Sequence, residues 1–377
     1  MGYGDLPFGN YLITRVYYVE GLGHNLFSVG QFCDADLEVA FRKNACFVRN
    51  LDGTDLLTGN RDTNLYAIDI NQMASSSPIC LMTRASGTQS WLWHRRLSHL
   101  NFDTINNLAK DNIVNGLPKF KYTKDHLCPS CEQGKSKRAS YKPKSVPSSE
   151  SRLHMLHMDL CGPMRVESIN GKKYILVIID DYSRYTWVKF LRSKDEEPCI
   201  IITFLKRIQV LLQTPVRFVR TDNSTEFTNQ ELRTYFEDVG ITHQTSVVRT
   251  PQQNGVVERR NRTLVEAART MLIYSSAPLF LWADAVATAC FTQNRSLIHP
   301  RFNKTPYELV NNRKPDISYL HVFGALCYPT NDREDLGKWK AKGDIGIFIG
   351  YSDNSRAFRV YNRRTRRIME TMNVKFD

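Results

Sequence analysis

Three acids stand where acids are unusual: Asp159 in "LHMDLCGP", Asp222 in "VRTDNSTEF" and Glu258 in "TPQQNGVVERRNRT". The first two fall near the ends of mostly apolar, strand-like segments, where aspartate is disfavoured. A buried carboxylate is costly unless it is paired or bound to metal. Three acids on separate elements can converge on divalent cations. A pair of such cations activates a water or a 3′-hydroxyl and stabilises the leaving oxygen of a phosphodiester. Mg²⁺ favours oxygen ligands of this kind and keeps positions open for substrate phosphates. Glu258 also heads a run holding Arg259, Arg260 and Arg262. On a helix Arg262 lies four residues from Glu258 and shares its face, so it can hold a phosphate backbone beside the metals. Arg259 is the second candidate for a phosphate contact. Taken singly, each acid also reads as a turn residue or a surface ion-pair partner.

A second constellation is softer. "WHRRLSHLN" carries His94 and His99, and "CPSC" carries Cys128 and Cys131. Two histidines on one helical face and a CxxC turn supply four N/S ligands for tetrahedral Zn²⁺, and four protein ligands leave no open position, so the site is structural. A lone histidine reads as a satisfied core or surface residue and a lone CxxC as a redox pair. His126 is close by but outside the pattern. The following "GKSKRASYKPK" is a basic arm for phosphates or a solvated linker.

The formal charge of +13 is unevenly spread. Residues 1–90 hold 6 basic against 9 acidic residues, 91–145 hold 11 against 4, 146–300 hold 19 against 16, and 301–377 hold 15 against 9. Basic modules flanking a more balanced centre suit a polyanionic partner. No apolar run reaches membrane-spanning length, "YILVIID" being strand-sized. "MGYGDLPFGN" lacks the basic start and apolar run of a signal peptide, and Leu6 argues against myristoylation. Nine cysteines with one close pair indicate a reducing compartment and a metal site, not a disulfide framework.

The elements that must position these groups follow from hydrophobic period. Residues 11–70 read as all-β, with alternating β-branched and aromatic residues broken by turn formers. Residues 91–138 read as mostly helical, with a loop around "DHLCPSCEQGKSKR". Strands are expected at "LHMDLCG", "KKYILVIIDDY", "RYTWVKFL", "VRFVRTDN" and "ITHQTSV". Helices are expected at "DEEPCIIITFLKRIQVLLQ", at "NQELRTYFEDVG" closed by Gly240, and at "VERRNRTLVEAARTMLIYSS" and "LFLWADAVATACFTQNRSL". This alternation predicts an α/β domain with a mixed sheet. From about residue 320 the pattern is β-rich again.

In sum "LHMDLCGPM", "DDYSRYTWVKFLRSKDE", "TPQQNGVVERRNRT" and "HVFGALCYPTND", in that order, make the chain resemble the integrase region of copia-type long-terminal-repeat retrotransposon Pol polyproteins. That family carries two aspartates and a glutamate with 35 residues between the last two, the spacing of Asp222 and Glu258, and it has a His-His-Cys-Cys group ahead of its core. The resemblance implies an RNase H-like catalytic core at 147–312. It also implies a zinc-binding GAG-pre-integrase domain at 73–146, the tail of a retropepsin-like protease at 1–72, and a basic β-rich segment at 313–377. The first of these domains lacks the Asp-Thr/Ser-Gly loop of a working protease.

By resemblance the activity is metal-dependent processing of DNA 3′ ends and strand transfer by a homo-oligomer. It acts with two Mg²⁺ or Mn²⁺ ions, on element and target DNA, with no membrane and no small-molecule substrate. Asn254 and Gly255 would approach DNA. The place of action would be the host nucleus, reached by way of cytoplasmic virus-like particles. Asp180 and Asp181 are read as structural. One departure is Ser224, where the family has glycine after "DN". A left-handed backbone there would strain Ser224 and shift Asp222. The rival readings are therefore a catalytically impaired DNA-binding remnant and an RNase H-like nuclease.

Overall fold

The computed structural model describes residues 2–8, 11–18, 28–34, 36–62, 65–68, 89–136, 149–245, 254–330, 341–352 and 355–377. Two compact units emerge, Met1–Trp91 with Lys121–Asp125, and Leu92–Phe120 with His126–Asp377.

In the first unit β1 (Gly2–Phe8) and β2 (Tyr11–Tyr18) form an antiparallel pair. A short helix α1 (Val29–Cys33) then precedes a meander of β3 (Leu37–Phe41), β4 (Ala45–Asn50), β5 (Asp55–Asp62) and β6 (Leu65–Ile68). The helix departs from the all-β expectation. Phe32 buries its ring and Asp34 N–H closes the turn on Gly30 O, so one helical turn satisfies a segment too short to pair. The tight connection between β4 and β5 uses Gly53 at φ 80° and the Asn50 side-chain oxygen Oδ1, which accepts from Thr54 N–H at 2.8 Å.

Helix α2 (89–96) runs across the division between the units, and α3 (Phe102–Lys110) and α4 (Pro129–Gly134) follow in the second. Two expectations are corrected here. Cys128 and Cys131 do not lie in a loop: Cys128 caps α4 and Cys131 sits within it, because Pro129 supplies the helical φ of the first turn. His94 and His99 do not share a helical face either, since α2 ends before Leu97 and His99 has φ 58°. A five-residue separation misses the one-turn spacing, and the chain turns back to bring the two rings together.

The core sheet has the order β11-β10-β7-β8-β9, with β7 (Met155–Cys161), β8 (Tyr174–Asp180), β9 (Thr186–Leu191), β10 (Phe218–Thr221) and β11 (Thr242–Thr245). β8 runs antiparallel to β7 and β9, while β10 and β11 run parallel to β7. This is the mixed α/β sheet expected, and β8 is an interior strand with cores packed on both of its faces, which explains its nearly unbroken apolar run. Helices α5 (Glu197–Leu212) and α6 (Gln230–Val239) cover one face through Ile201, Leu205, Leu232 and Phe236. Gly240 ends α6 at φ 73° as anticipated. The other face is covered by α7 (Gly255–Ser275) and α8 (Trp282–Ser296), followed by α9 (Pro306–Asn311). α7 starts two residues earlier than its apolar pattern suggested. Asn254 O accepts from both Val257 and Glu258 N–H, and Val257 is wholly buried.

The C-terminal part is a five-stranded antiparallel sheet of order β15-β14-β13-β12-β16. Its strands are β12 (Leu326–Pro329), β13 (Gly346–Tyr351), β14 (Phe358–Asn362), β15 (Arg367–Thr371) and β16 (Val374–Phe376). It packs on α8 through Ile347 and Ile349, and Thr288 Oγ1 donates to Ile349 O at 2.7 Å.

Candidate active site and metal centre

The parallel pairing of β7 with β10 places Phe218 opposite Met155 and Arg220 opposite His157, an offset of 63 residues. Asp222 and Asp159 are also 63 residues apart. Continued past the end of β10, the register therefore sets the two aspartates level on neighbouring strands, which lie about 4.8 Å apart. The long first gap between the acids is the strand register itself. Glu258 arrives from above, in the first turn of α7.

Asp159 feels both neighbours. Burial first, then the charges of Asp222 and Glu258, push its carboxyl from 3.8 up to about 6, against the opposing pull of Leu160 N–H and Asn261. Asn261 Nδ2 donates directly to Asp159 Oδ2. Sequence reading missed this residue, although it lies three positions after Glu258 and so on the same side of α7. Among the described residues Glu258 and Arg262 stand on the same side of α7. Both are exposed. Arg259 lines a shallow groove of about 200 Å³ with Ile179, Arg184, Val256, Arg260 and Thr263. Arg260 points inward, donating to Thr186 Oγ1 at 2.8 Å.

Other expectations resolve individually. Asp180 and Asp181 are structural. Asp180 accepts from Leu153 and Ser183 N–H at 2.9 Å each, and Asp181 accepts from Ser149 N–H at 2.8 Å and meets His157 Nε2 at 3.0 Å. Ser224 is not among the positive-φ residues, so the anticipated backbone strain does not arise. Its N–H instead reaches Asp222 Oδ1 at 3.3 Å, a turn that any residue can make. Asn254 is buried, which keeps its side chain from the surface, and its Oδ1 has no partner. At Gly255 a Cβ would meet only the Arg259 guanidinium, at an ordinary 3.7 Å. The loop expected before Asn254 and the basic arm after Ser136 lie outside the described residues. A separate cleft of about 560 Å³ opens between Arg152, His154, Arg217 and Arg220, and contains none of the three acids.

The His/Cys group is gathered tightly, with all four ligand atoms within 4.8 Å of one another. His94 Nε2 and His99 Nδ1 are 3.2 Å apart, and Cys131 Sγ lies 3.6 Å from His94 Nε2 and 3.7 Å from His99 Nδ1. Cys128 Sγ lies 3.6 Å from His99 Nδ1. Zinc bonds of ordinary length at tetrahedral angles need N–N and N–S separations of about 3.3 and 3.6 Å, so the donor set fits the ion. His94 Nδ1 donates to Leu100 O at 2.7 Å, leaving Nε2 as the ligand atom. Burial, then His94, Lys135 and Arg95, keeps the His99 imidazole neutral, and burial pushes the Cys131 thiol up to about 11. The cluster leans on α7: the His99 ring meets Tyr274 edge-on at 5.4 Å, Arg95 lies over Tyr274, and Ser136 N–H reaches Glu266.

Comparison with known proteins finds three family matches in chain order: the GAG-pre-integrase domain over residues 64–136, the integrase core domain over 150–251, and the retroviral polymerase SH3-like domain over 325–377. Over 288 residues the chain is 34% identical to the retrovirus-related Pol polyprotein from transposon TNT 1-94 of Nicotiana tabacum, covering 76% of this chain and 21% of that protein. It is 29% identical over 369 residues to the corresponding polyprotein from transposon RE1 of Arabidopsis thaliana, covering 97% of this chain and 24% of that one. The chain thus spans under a quarter of the length of these relatives. A solved structure of the HTLV-2 integrase catalytic core domain in complex with magnesium aligns over 43% of this chain and 99% of that chain, with 20% identity and a TM-score of 0.34.

Proposed function

We propose that this chain, the integrase region of a copia-type Pol polyprotein, is a DNA polynucleotidyl transferase that trims element ends and joins them to target DNA. The observation that carries the reading is the levelling of Asp159 and Asp222 by parallel register, with the Glu258 charge acting on the same carboxyl. Asp159, Asp222 and Glu258 would hold Mg²⁺ or Mn²⁺, and carboxylates that repel one another fit a cationic occupant. Divalent ions there would supply Lewis acidity to the nucleophile and the leaving oxygen.

The remaining steps belong to this chain's own residues. Asn261 holds Asp159 in one rotamer. Arg262, beside Glu258, and Arg259, in the basic groove, would bind phosphates on either flank. Gly255 would let the backbone of DNA approach the helix start. His94, His99, Cys128 and Cys131 would hold a structural Zn²⁺. The partners would be DNA and further copies of the chain, and the place of action the host nucleus by way of cytoplasmic virus-like particles. Residues 1–72 would belong to the retropepsin-like protease that precedes integrase in such polyproteins.

The test is strand transfer with Mg²⁺ or Mn²⁺ on oligonucleotides bearing the element's own ends, comparing the chain with Glu258→Gln. Joined products that disappear in the variant support the reading. Cleavage with no joining would favour a nuclease, and DNA binding with neither product would leave a binding remnant.

A further inference from the structure

Glu197, the first residue of α5, is wholly buried, and neither carboxylate oxygen has a hydrogen-bond partner. The charges of Glu226 and Asp222 both act on it, after burial. Glu226 is already engaged by Lys194 in an ion pair at the rim. An unpaired carboxylate in such a place is expensive, and structures keep one only where something charged or protonated meets it. Nothing in the α5 packing requires an acid there, because Ile201, Phe204, Leu205 and Ile208 supply the apolar contact.

The feature is thus an orphaned carboxylate on a different element from the other three acids, at the start of a helix preceded by Lys194, which is ion-paired to Glu226, four residues beyond Asp222. We infer that Glu197 is a fourth carboxylate of the metal site, a ligand for a divalent cation on the Asp222 side, with Lys194–Glu226 closing that side from solvent. The inference rests on the metal-site reading above. It goes beyond that reading by adding α5, which carries none of Asp159, Asp222 or Glu258. Oxygen ligands from several elements are the set that Mg²⁺ and Mn²⁺ accept, and one more carboxylate raises both charge complementarity and the number of protein ligands available.

Mn²⁺ binding to the full chain is the test, followed by titration calorimetry and by the paramagnetic signal of free Mn²⁺ at pH 7.5. The chain is compared with Glu197→Gln and Asp222→Asn. Glu197→Gln is expected to lose one bound ion or to bind at least tenfold more weakly, while its metal-free fold is no less stable. Mn²⁺ affinity and stoichiometry within twofold of the parent would overturn the inference. If Asp222→Asn is equally unaffected, the metal-site reading itself has failed, which separates the two. Should Glu197→Gln fold poorly, Glu197→Asp keeps the charge and withdraws it by one methylene. Weakened Mn²⁺ binding is again expected, and unchanged binding again overturns.

Discussion

Replacing Asp159 by asparagine should stabilise the fold when no divalent ion is added, and destroy the chemistry. The carboxyl is raised from 3.8 to about 6, first by burial and then by Asp222 and Glu258. At about 1.4 kcal/mol per pH unit, holding Asp159 ionised costs the folded state up to about 3 kcal/mol. Partial exposure screens some of that, so a gain of about 1–3 kcal/mol is expected for the neutral isostere, whose carbonyl still accepts from Asn261. The sign follows from linkage. An acid raised on folding penalises the native state above the folded value, and the penalty fades as pH falls from about 6 to 3.8. The advantage of Asp159→Asn should therefore be full at pH 7.5 and nearly gone at pH 3.8.

Denaturant unfolding of both proteins, loaded with one equivalent of zinc and no Mg²⁺ or Mn²⁺, measures it. The midpoint should rise by roughly 2–8 °C in a parallel thermal scan. Adding Mg²⁺ at 100 times its dissociation constant should return about 2.7 kcal/mol to the parent alone and so cancel or reverse the variant's advantage. A variant less stable than the parent at pH 7.5, or an advantage independent of pH, would refute the argument that these carboxylates repel one another.

Three further outcomes follow from named contacts. Asn261→Ala removes the donor to Asp159 and should lower strand transfer about 10–100-fold while costing only about 1 kcal/mol of stability. Unaltered turnover would show that the contact is incidental. Ser224→Gly should change strand transfer by less than about threefold and destabilise by up to about 1 kcal/mol, since no left-handed φ is relieved. A tenfold gain in activity would restore the idea of a strained site. Because burial holds the Cys131 thiol near 11, zinc loading at pH 7.5 must displace a proton. Calorimetry in two buffers of different ionisation enthalpy should detect that release, and equal heats in both would contradict it.

Much of the fold was legible because period and punctuation agree with it. β8 reads as buried because it is apolar on both faces, and α6 ends where Gly240 can take φ 73°. The three candidate acids were singled out by residue type and by the resemblance, spacing alone being weak among 38 acids, but the meaning of the first interval, one strand register, appears only once β7 and β10 are paired. Glu197 and Asn261 were not legible. An acid at a helix start ordinarily faces water and favours the dipole, and an asparagine between arginines ordinarily does the same. Only tertiary burial turns the one into an orphan and the other into a clamp. The His99 turn was misread for a similar reason, since a sequence shows separation and not the direction in which the chain doubles back.

The same burial ties the two candidate metal sites together. α7 carries Glu258 and Asn261 in its first two turns and Glu266, Thr270 and Tyr274 further along, where the segment of the His/Cys group rests. A Cβ at Gly134 would overlap Thr270, so the small residue is what lets α4 lie against the helix. A rigid helix transmits displacement along its length, and metal geometry tolerates little of it. Losing zinc should therefore loosen α7 and not the zinc ligands alone. Hydrogen exchange should quicken in residues 266–275 on zinc removal, and Gly134→Val should reproduce the effect with zinc still bound. Protection in α7 that ignores zinc would mean the two centres merely share a neighbour.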